Sequence, residues 1–188
     1  MHADNWANKA KQEGYRTRAV YKLEEILQKT KSLKKSQNVL DLGSAPGGWS
    51  HYIKKKSPNS EVYAIDILDM ESVDGVYFFQ NSIEEIDSID HIRSKMGSFG
   101  LVISDIAPNI TGINAIDIEN IYELNILTLD TAAKYLNKSH GSFIMKTFQN
   151  SMLKNLRKKM ELSFKIVQTY KPAASKKQSG EIYLYGVR

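Results

Sequence analysis

Apolar residues along the chain fall into short blocks separated by polar stretches. Across residues 18–29, Ala19, Val20, Leu23, Ile26 and Leu27 recur at helical spacing. That spacing predicts an amphipathic helix within a basic N-terminal helical region reaching to about residue 30. Residues 31–37 are polar and basic and read as a connector. From residue 38 onward, strand-like runs alternate with helix-like segments. The predicted strands are 38–43 (NVLDLG), 61–66 (EVYAID), 76–80 (VYFFQ), 99–104 (FGLVIS), 142–148 (SFIMKTF), 164–169 and 181–187 (EIYLYGV). The predicted helices are 47–56, after a Pro-Gly-Gly turn, then 83–95, 118–135 and 150–160. Residues 171–180 read as a polar, basic loop. Strands interleaved with helices predict an α/β fold: a doubly wound, seven-stranded, mostly parallel sheet with helices on both faces. A length of 188 residues suits a single domain over 1–188.

In doubly wound sheets, ligands sit beyond the C-terminal ends of the strands. Asp41, Asp66, Asp105 and Lys146 all lie at or beside predicted strand ends. Composition narrows the chemistry. Hydrophobic residues make up 41% and charged residues 25%, as in ordinary globular proteins. Lys and Arg number 26 against 21 Asp and Glu, a net +5 that favours a polyanionic partner over a neutral one. A mildly basic surface with no such partner is the plain alternative. There is no cysteine, which excludes disulfides and thiolate metal sites. His2, His51, His91 and His140 are scattered without metal-ligand spacing, so no metal is expected. No apolar run approaches the ~20 residues of a membrane span, and residues 1–10 lack the apolar stretch of a secretory signal. The expectation is a soluble, cytoplasmic protein, organellar if the source is eukaryotic.

The sharpest local signal is 41–50, DLGSAPGGWS, between a predicted strand and a predicted helix. Glycines there allow a tight turn and close approach of backbone to ligand. An ordinary strand-to-helix turn needs no such string. The dinucleotide fingerprint G-x-G-x-x-G is absent, so a pyrophosphate cradle matches poorly and a nucleoside-like ligand is expected. Asp66 ends the next strand at the distance, roughly 20 residues on, where a carboxylate accepts from ribose hydroxyls. Its alternative is a solvated strand-end residue.

DLGSAPGGWS resembles the heat-shock ribosomal RNA 2′-O-ribose methyltransferase family of the FtsJ type. Four more blocks continue the likeness in order and spacing: GYRTRAVYKLEEI at 14–26, SDIAPNITG at 104–112, GSFIMKTFQ at 141–149 and SGEIYLYG at 179–186. The resemblance implies a Rossmann-like class I methyltransferase fold with S-adenosyl-L-methionine as donor. By position, Gly47 and Trp49 match cofactor-contacting residues, Asp66 matches the ribose-binding carboxylate, and Asp105 lies beside the methionine end. One departure falls at Ser82, where the family often has an Asp that contacts the adenine amino group. A neutral acceptor there weakens the contact by about 1 kcal/mol.

The family's catalytic tetrad corresponds to Lys22, Asp105, Lys146 and Glu181. Taken singly these read as a solvated helix residue, a turn residue before Pro108, a lysine oddly placed in an apolar strand, and a surface strand start. A ribose 2′-hydroxyl is a poor acid and must lose its proton while attacking a sulfonium methyl. Lys146 either takes that proton, which requires a lowered pKa, or stays protonated and stabilises the developing oxyanion. Lys22 is a cation that would favour the first role, while Asp105 and Glu181 would oppose it. The implied partner is RNA: a uridine of ribosomal RNA in the large subunit, methylated by a monomer. A transfer-RNA or cap 2′-O-methyltransferase of the same superfamily is the alternative, as is a non-catalytic ribosome assembly factor.

Four basic clusters are candidates for phosphate contact: Lys9, Lys11, Arg16, Arg18 and Lys22; Lys31, Lys34 and Lys35; Lys154, Arg157, Lys158 and Lys159; and Lys171, Lys176 and Lys177. Each is equally readable as a solvated face. Tyr15 and Tyr21 could stack on a base or belong to the core.

Overall fold

A computed structural model describes residues 2–176 and 178–188, with side chains from Asn5 onward, so Lys177 and the side chain of His2 lie outside the described residues. One seven-stranded sheet organises the chain, in the order β3-β2-β1-β4-β5-β7-β6. The strands are β1 (Asn38–Leu42), β2 (Glu61–Asp66), β3 (Val76–Gln80), β4 (Phe99–Ser104), β5 (Ser142–Phe148), β6 (Ile166–Tyr170) and β7 (Glu181–Val187). β7 is the reversed strand, antiparallel to both β5 and β6. The reason is connectivity. Parallel neighbours need a crossover, usually a helix, whereas the short loop after β6 contains none and can only turn the chain back. β7 therefore enters between β5 and β6, and its first residue, Glu181, pairs with Phe148 at the end of β5.

Period-2 alternation sends each strand's side chains to two faces. On one face Leu40, Leu42, Val102, Phe143, Met145 and Leu184 pack against α5 (Asn114–Tyr135) and α6 (Leu153–Glu161). On the other face Val39, Leu101, Ile103, Ile144 and Tyr183 pack against α2 (Val20–Thr30) and α3 (Gly48–Lys56). Asp41, Lys146 and Glu181 have the parity of this second face. The alternation that builds the core thus also selects which polar residues meet α2.

Several elements differ from the sequence expectations. The N-terminal helical region is two helices, α1 (His2–Gln12) and α2, separated at Gly14 with φ 74°. The expected helix 83–95 is a 3₁₀ helix (Ile83–Ser88) followed by the single turn α4 (Asp90–Arg93), with an extended residue, Ile89, between them. The Asp87 carboxylate turns away to accept from the Tyr135 hydroxyl at 2.6 Å and from Lys134, which anchors the short helix to α5 and stops it propagating. α5 begins four residues earlier than its apolar periodicity, because Asp117 accepts from the Thr111 and Gly112 amides at 2.7 and 3.1 Å and so organises the start. α6 starts later than residue 150, and β6 is shifted to Ile166–Tyr170. Among the described residues, no helix is long and apolar enough to cross a membrane.

Candidate active site

β1 delivers the chain to a turn at the C-terminal edge of the sheet. Gly43 (φ 74°) donates its amide to Ile65 O at 2.9 Å, and Gly47 (φ 92°) donates to Ser44 O at 2.7 Å. These positive φ values are ones that side chains with a Cβ rarely adopt. Two cavities open on either side of Gly43. The first, of about 190 Å³, is walled by Ile67, Ile83, Ile106, Leu124 and Leu127, with Asp66, Asn81 and Ser82 supplying polar groups. The second, of about 150 Å³, is lined by Thr17, Ala19, Asp41, Ser44, Gly48, Trp49 and Asp105, among others. The apolar walls of the first suit a flat base and its ribose. The second is more polar than the first, and Ser44 Oγ is buried in its wall without a hydrogen-bond partner, an unmet polar atom of the kind a ligand satisfies. The pair of cavities therefore fits a ligand with a nucleoside at one end and charged amino-acid groups at the other.

The predicted cofactor residues take distinct places. Asp66 Oδ2 accepts from the Ala45 amide and Oδ1 from the Leu68 amide, both at 2.8 Å, so it braces the loop while facing the first cavity. Ser82 Oγ accepts from the Glu84 amide at 3.2 Å and caps the 3₁₀ helix at the cavity rim. Trp49 lines the second cavity and donates its indole N–H to Ala19 O at 2.9 Å. Gly47 sits in the turn behind the lining; Gly43 and Gly48 form the wall itself.

The four residues predicted for catalysis form two pairs, of which only Asp105 lines the second cavity, and Tyr183 lies between the pairs, its hydroxyl on Asp105 and its ring 5.9 Å from Lys22 Nζ. Lys22 Nζ lies 2.8 Å from both Glu181 Oε1 and Oε2. Lys146 Nζ donates to the Asp105 carbonyl and lies 3.4 Å from Asp105 Oδ1. Their side chains keep between 10% and 23% of their accessible surface, so they are shielded yet reachable. Burial pushes the Glu181 carboxyl upward, but Lys22, the Ser175 hydroxyl at 2.8 Å and the charge of Lys146 outweigh it and hold the group below its usual range. Glu181 is therefore a fixed anion that keeps Lys22 in place.

Sequence reasoning missed two participants. Tyr183 donates its hydroxyl to Asp105 Oδ1 at 2.7 Å. Burial and the neighbouring Asp105 and Glu181 charges raise it well above the ordinary tyrosine value, so it stays a donor. Its signal was available, since it lies two residues after Glu181 and shares that residue's face. Ser175 is the second, invisible until the loop folds back. Asp41, singled out in the sequence for its place at a strand end, is fully buried: it accepts from Ser50 Oγ at 2.6 Å, and burial with the charges of Asp105 and Asp66 pushes its carboxyl up to about 7, although Ser50 pulls the other way.

The basic clusters separate by position. Lys31, Lys34 and Lys35 lie in the connector entering β1, at the N-terminal end of the parallel strands and opposite the cavities. Arg16 is spent on main-chain carbonyls, Lys22 on Glu181, and Lys9 sits 4.6 Å from the Tyr21 ring centre. Tyr15 and Tyr21 are buried core residues rather than exposed stacking platforms. Lys154 at the start of α6, and Lys171 and Lys176 in the loop before β7, sit at the cavity end of the sheet.

Comparison with known proteins shows what the chain resembles. Residues 15–188 match the family described as FtsJ-like methyltransferase. The chain is 38% identical to ribosomal RNA large subunit methyltransferase E of Dechloromonas aromatica, over 97% of this chain and 90% of that protein. It is 40% identical to the protein of the same name from Hydrogenovibrio crunogenus, over 96% and 89%. The crystal structure of a Plasmodium falciparum protein described as a ribosomal RNA methyltransferase superposes with a TM-score of 0.81 at 31% identity, covering 93% of this chain and 98% of that one.

Proposed function

This chain belongs to the FtsJ-like methyltransferase family, and on that premise we propose that it methylates a ribose 2′-hydroxyl of large-subunit ribosomal RNA through Lys22, Asp105, Lys146 and Glu181. When bound, S-adenosylmethionine supplies the methyl group already activated on a sulfonium sulfur. What remains for the chain is to bind, orient and manage one proton. Lys146 is directed by two oxygens of Asp105, and Tyr183 holds that carboxylate from behind. This leaves Lys146 Nζ, held beside Asp105, as the group that meets the hydroxyl and receives or neutralises its departing charge. Glu181 and Lys22 form the paired second half, which orients the ribose and keeps the local charge balanced. Asp66, Asn81 and Ser82 would hold the nucleoside, and Ser44, Asp41 and Asp105 border the amino-acid end.

The observation that carries this reading is that residues from α2, the end of β4, β5 and β7 form two ion pairs bridged by Tyr183, one of them holding Asp105 in the wall of the second cavity. Coverage of about nine-tenths of relatives named for the large ribosomal subunit supports ribosomal RNA over transfer RNA or a cap. The same tetrad argues against a non-catalytic assembly factor.

The test is methyl transfer from radiolabelled donor to ribosomal RNA, followed by alkaline hydrolysis. A methylated 2′-oxygen cannot attack its own phosphodiester, so the label is expected in alkali-resistant dinucleotides. Label released in mononucleotides, or no transfer to free or subunit-bound RNA, would sink the assignment. A second measurement addresses the RNA surface. Replacing Lys154 and Lys176 together by Glu is expected to weaken RNA binding by about tenfold or more near 0.1 M salt and to flatten its salt dependence. Replacing Lys34 and Lys35 at the opposite end should change neither.

A further inference from the structure

Arg16 sits in a basic cluster and invites assignment to RNA phosphates, but its guanidinium is bonded to three main-chain carbonyls of this chain. We propose that Arg16 is a positioning residue for the methyl donor, latching the segment between α1 and α2 across the donor loop. The guanidinium bridges two loops: Nη1 donates to Pro46 O at 2.9 Å and to Glu71 O at 2.7 Å, and Nη2 donates to Ser72 O at 2.7 Å. Pro46 belongs to the turn after β1, while Glu71 and Ser72 follow β2, so a single side chain ties together the loops that follow adjacent strands. A planar fork of donors at fixed angles does this; an ammonium on a flexible stem does not.

The glycines of the donor turn make room for the latch. A Cβ on Gly47 would lie 2.8 Å from Arg16 Nη1, and one on Gly48 would lie 2.7 Å from Thr17 Oγ1. Thr17 and Ala19 then form part of the wall of the cavity bordered by Asp41, Ser44 and Asp105. Ala19 O accepts the Trp49 indole N–H at 2.9 Å, fixing the far end of the segment to α3. Lys22 follows within the next turn of helix. One stretch of backbone, pinned at Arg16 and Ala19, therefore builds part of the donor's wall and sets the height at which Lys22 meets Glu181. Arg16 acts on donor affinity first and on the tetrad through it.

The inference rests on the donor reading given above, and the experiment separates the two. Wild type, Arg16→Ala and Arg16→Lys are compared for binding of S-adenosylhomocysteine by calorimetry, for RNA affinity across a salt series, and for kcat and KM of each substrate. Arg16→Ala is expected to weaken S-adenosylhomocysteine binding by about tenfold or more, as charge-assisted hydrogen bonds are lost. Donor KM should rise and kcat should fall, with RNA affinity and its salt slope unchanged. Arg16→Lys keeps the charge and is expected to recover little of the donor affinity. Unchanged donor binding with weaker RNA binding and a shallower salt slope would make Arg16 a phosphate contact and overturn the latch. So would equal losses of donor and RNA affinity accompanied by a lower melting temperature in both variants, which would reduce Arg16 to a folding residue. Failure of wild type to bind S-adenosylhomocysteine would refute the donor reading itself, and the latch with it.

Discussion

Lys146→Ala is expected to lower single-turnover methyl transfer by about a thousandfold while leaving donor affinity within about twofold. The size follows from what the amine does in either of its chemical roles. As a base it removes the proton that otherwise stays on a weakly acidic hydroxyl. As a charged donor it stabilises the oxyanion in a site where Asp105 and Tyr183 already fix its direction. Both contributions arise at the reacting oxygen and vanish with the amine. The donor cavities lose nothing, because Lys146 lines neither of them. Lys146→Arg should not rescue the rate, since a guanidinium stays protonated and its flat fork does not match the single point held between the Asp105 carbonyl and carboxylate. A variant that transfers methyl groups near the wild-type rate, with donor binding intact, would remove Lys146 from the chemistry.

The second large effect concerns stability and pH. Asp41 is buried and pushed up to about 7, from an ordinary value of 3.8. A carboxyl raised by folding favours the folded state when protonated. Its contribution is fully present below the ordinary value and is lost as pH climbs to about 7. The penalty then stays constant above that. Asp41→Asn retains an acceptor for the Ser50 hydroxyl and carries no charge to desolvate. The variant is expected to melt on the order of 5 °C higher than wild type at pH 8, with the two curves converging as pH falls toward 4. The differential matters because Glu181, Asp87 and Glu61 are held below their usual values and contribute the opposite slope, losing stability as pH falls. Subtracting the two melting curves isolates Asp41. Identical curves between pH 4 and 8 would mean that folding does not raise the Asp41 carboxyl.

The expectation of a doubly wound sheet held because it depends on local chemistry. Short apolar runs such as NVLDLG and FGLVIS, bounded by turn residues, favour buried strands, and the turn after β1 takes positive φ at Gly43 and Gly47, which glycine allows. Periodicity failed where a long-range contact intervened. The 83–95 segment reads as one helix until Tyr135 and Lys134 draw Asp87 toward α5. Arg16 reads as one more surface cation until the loops after β1 and β2 close around it.

By itself the order of residues determined which segments become strands, which face each side chain takes, and which motif blocks crowd the C-terminal edge. Spacing along a chain is a local property, and steric preference acts within a few residues. Only the folded arrangement decided that Lys22 pairs with Glu181, 159 positions away, and Lys146 with Asp105. It alone decided that β7 enters antiparallel beside β5, and that Asp41 is dry enough to hold its proton near neutral pH. Pairing and desolvation are set by what lies within a few ångströms in space, and that neighbourhood exists only after packing.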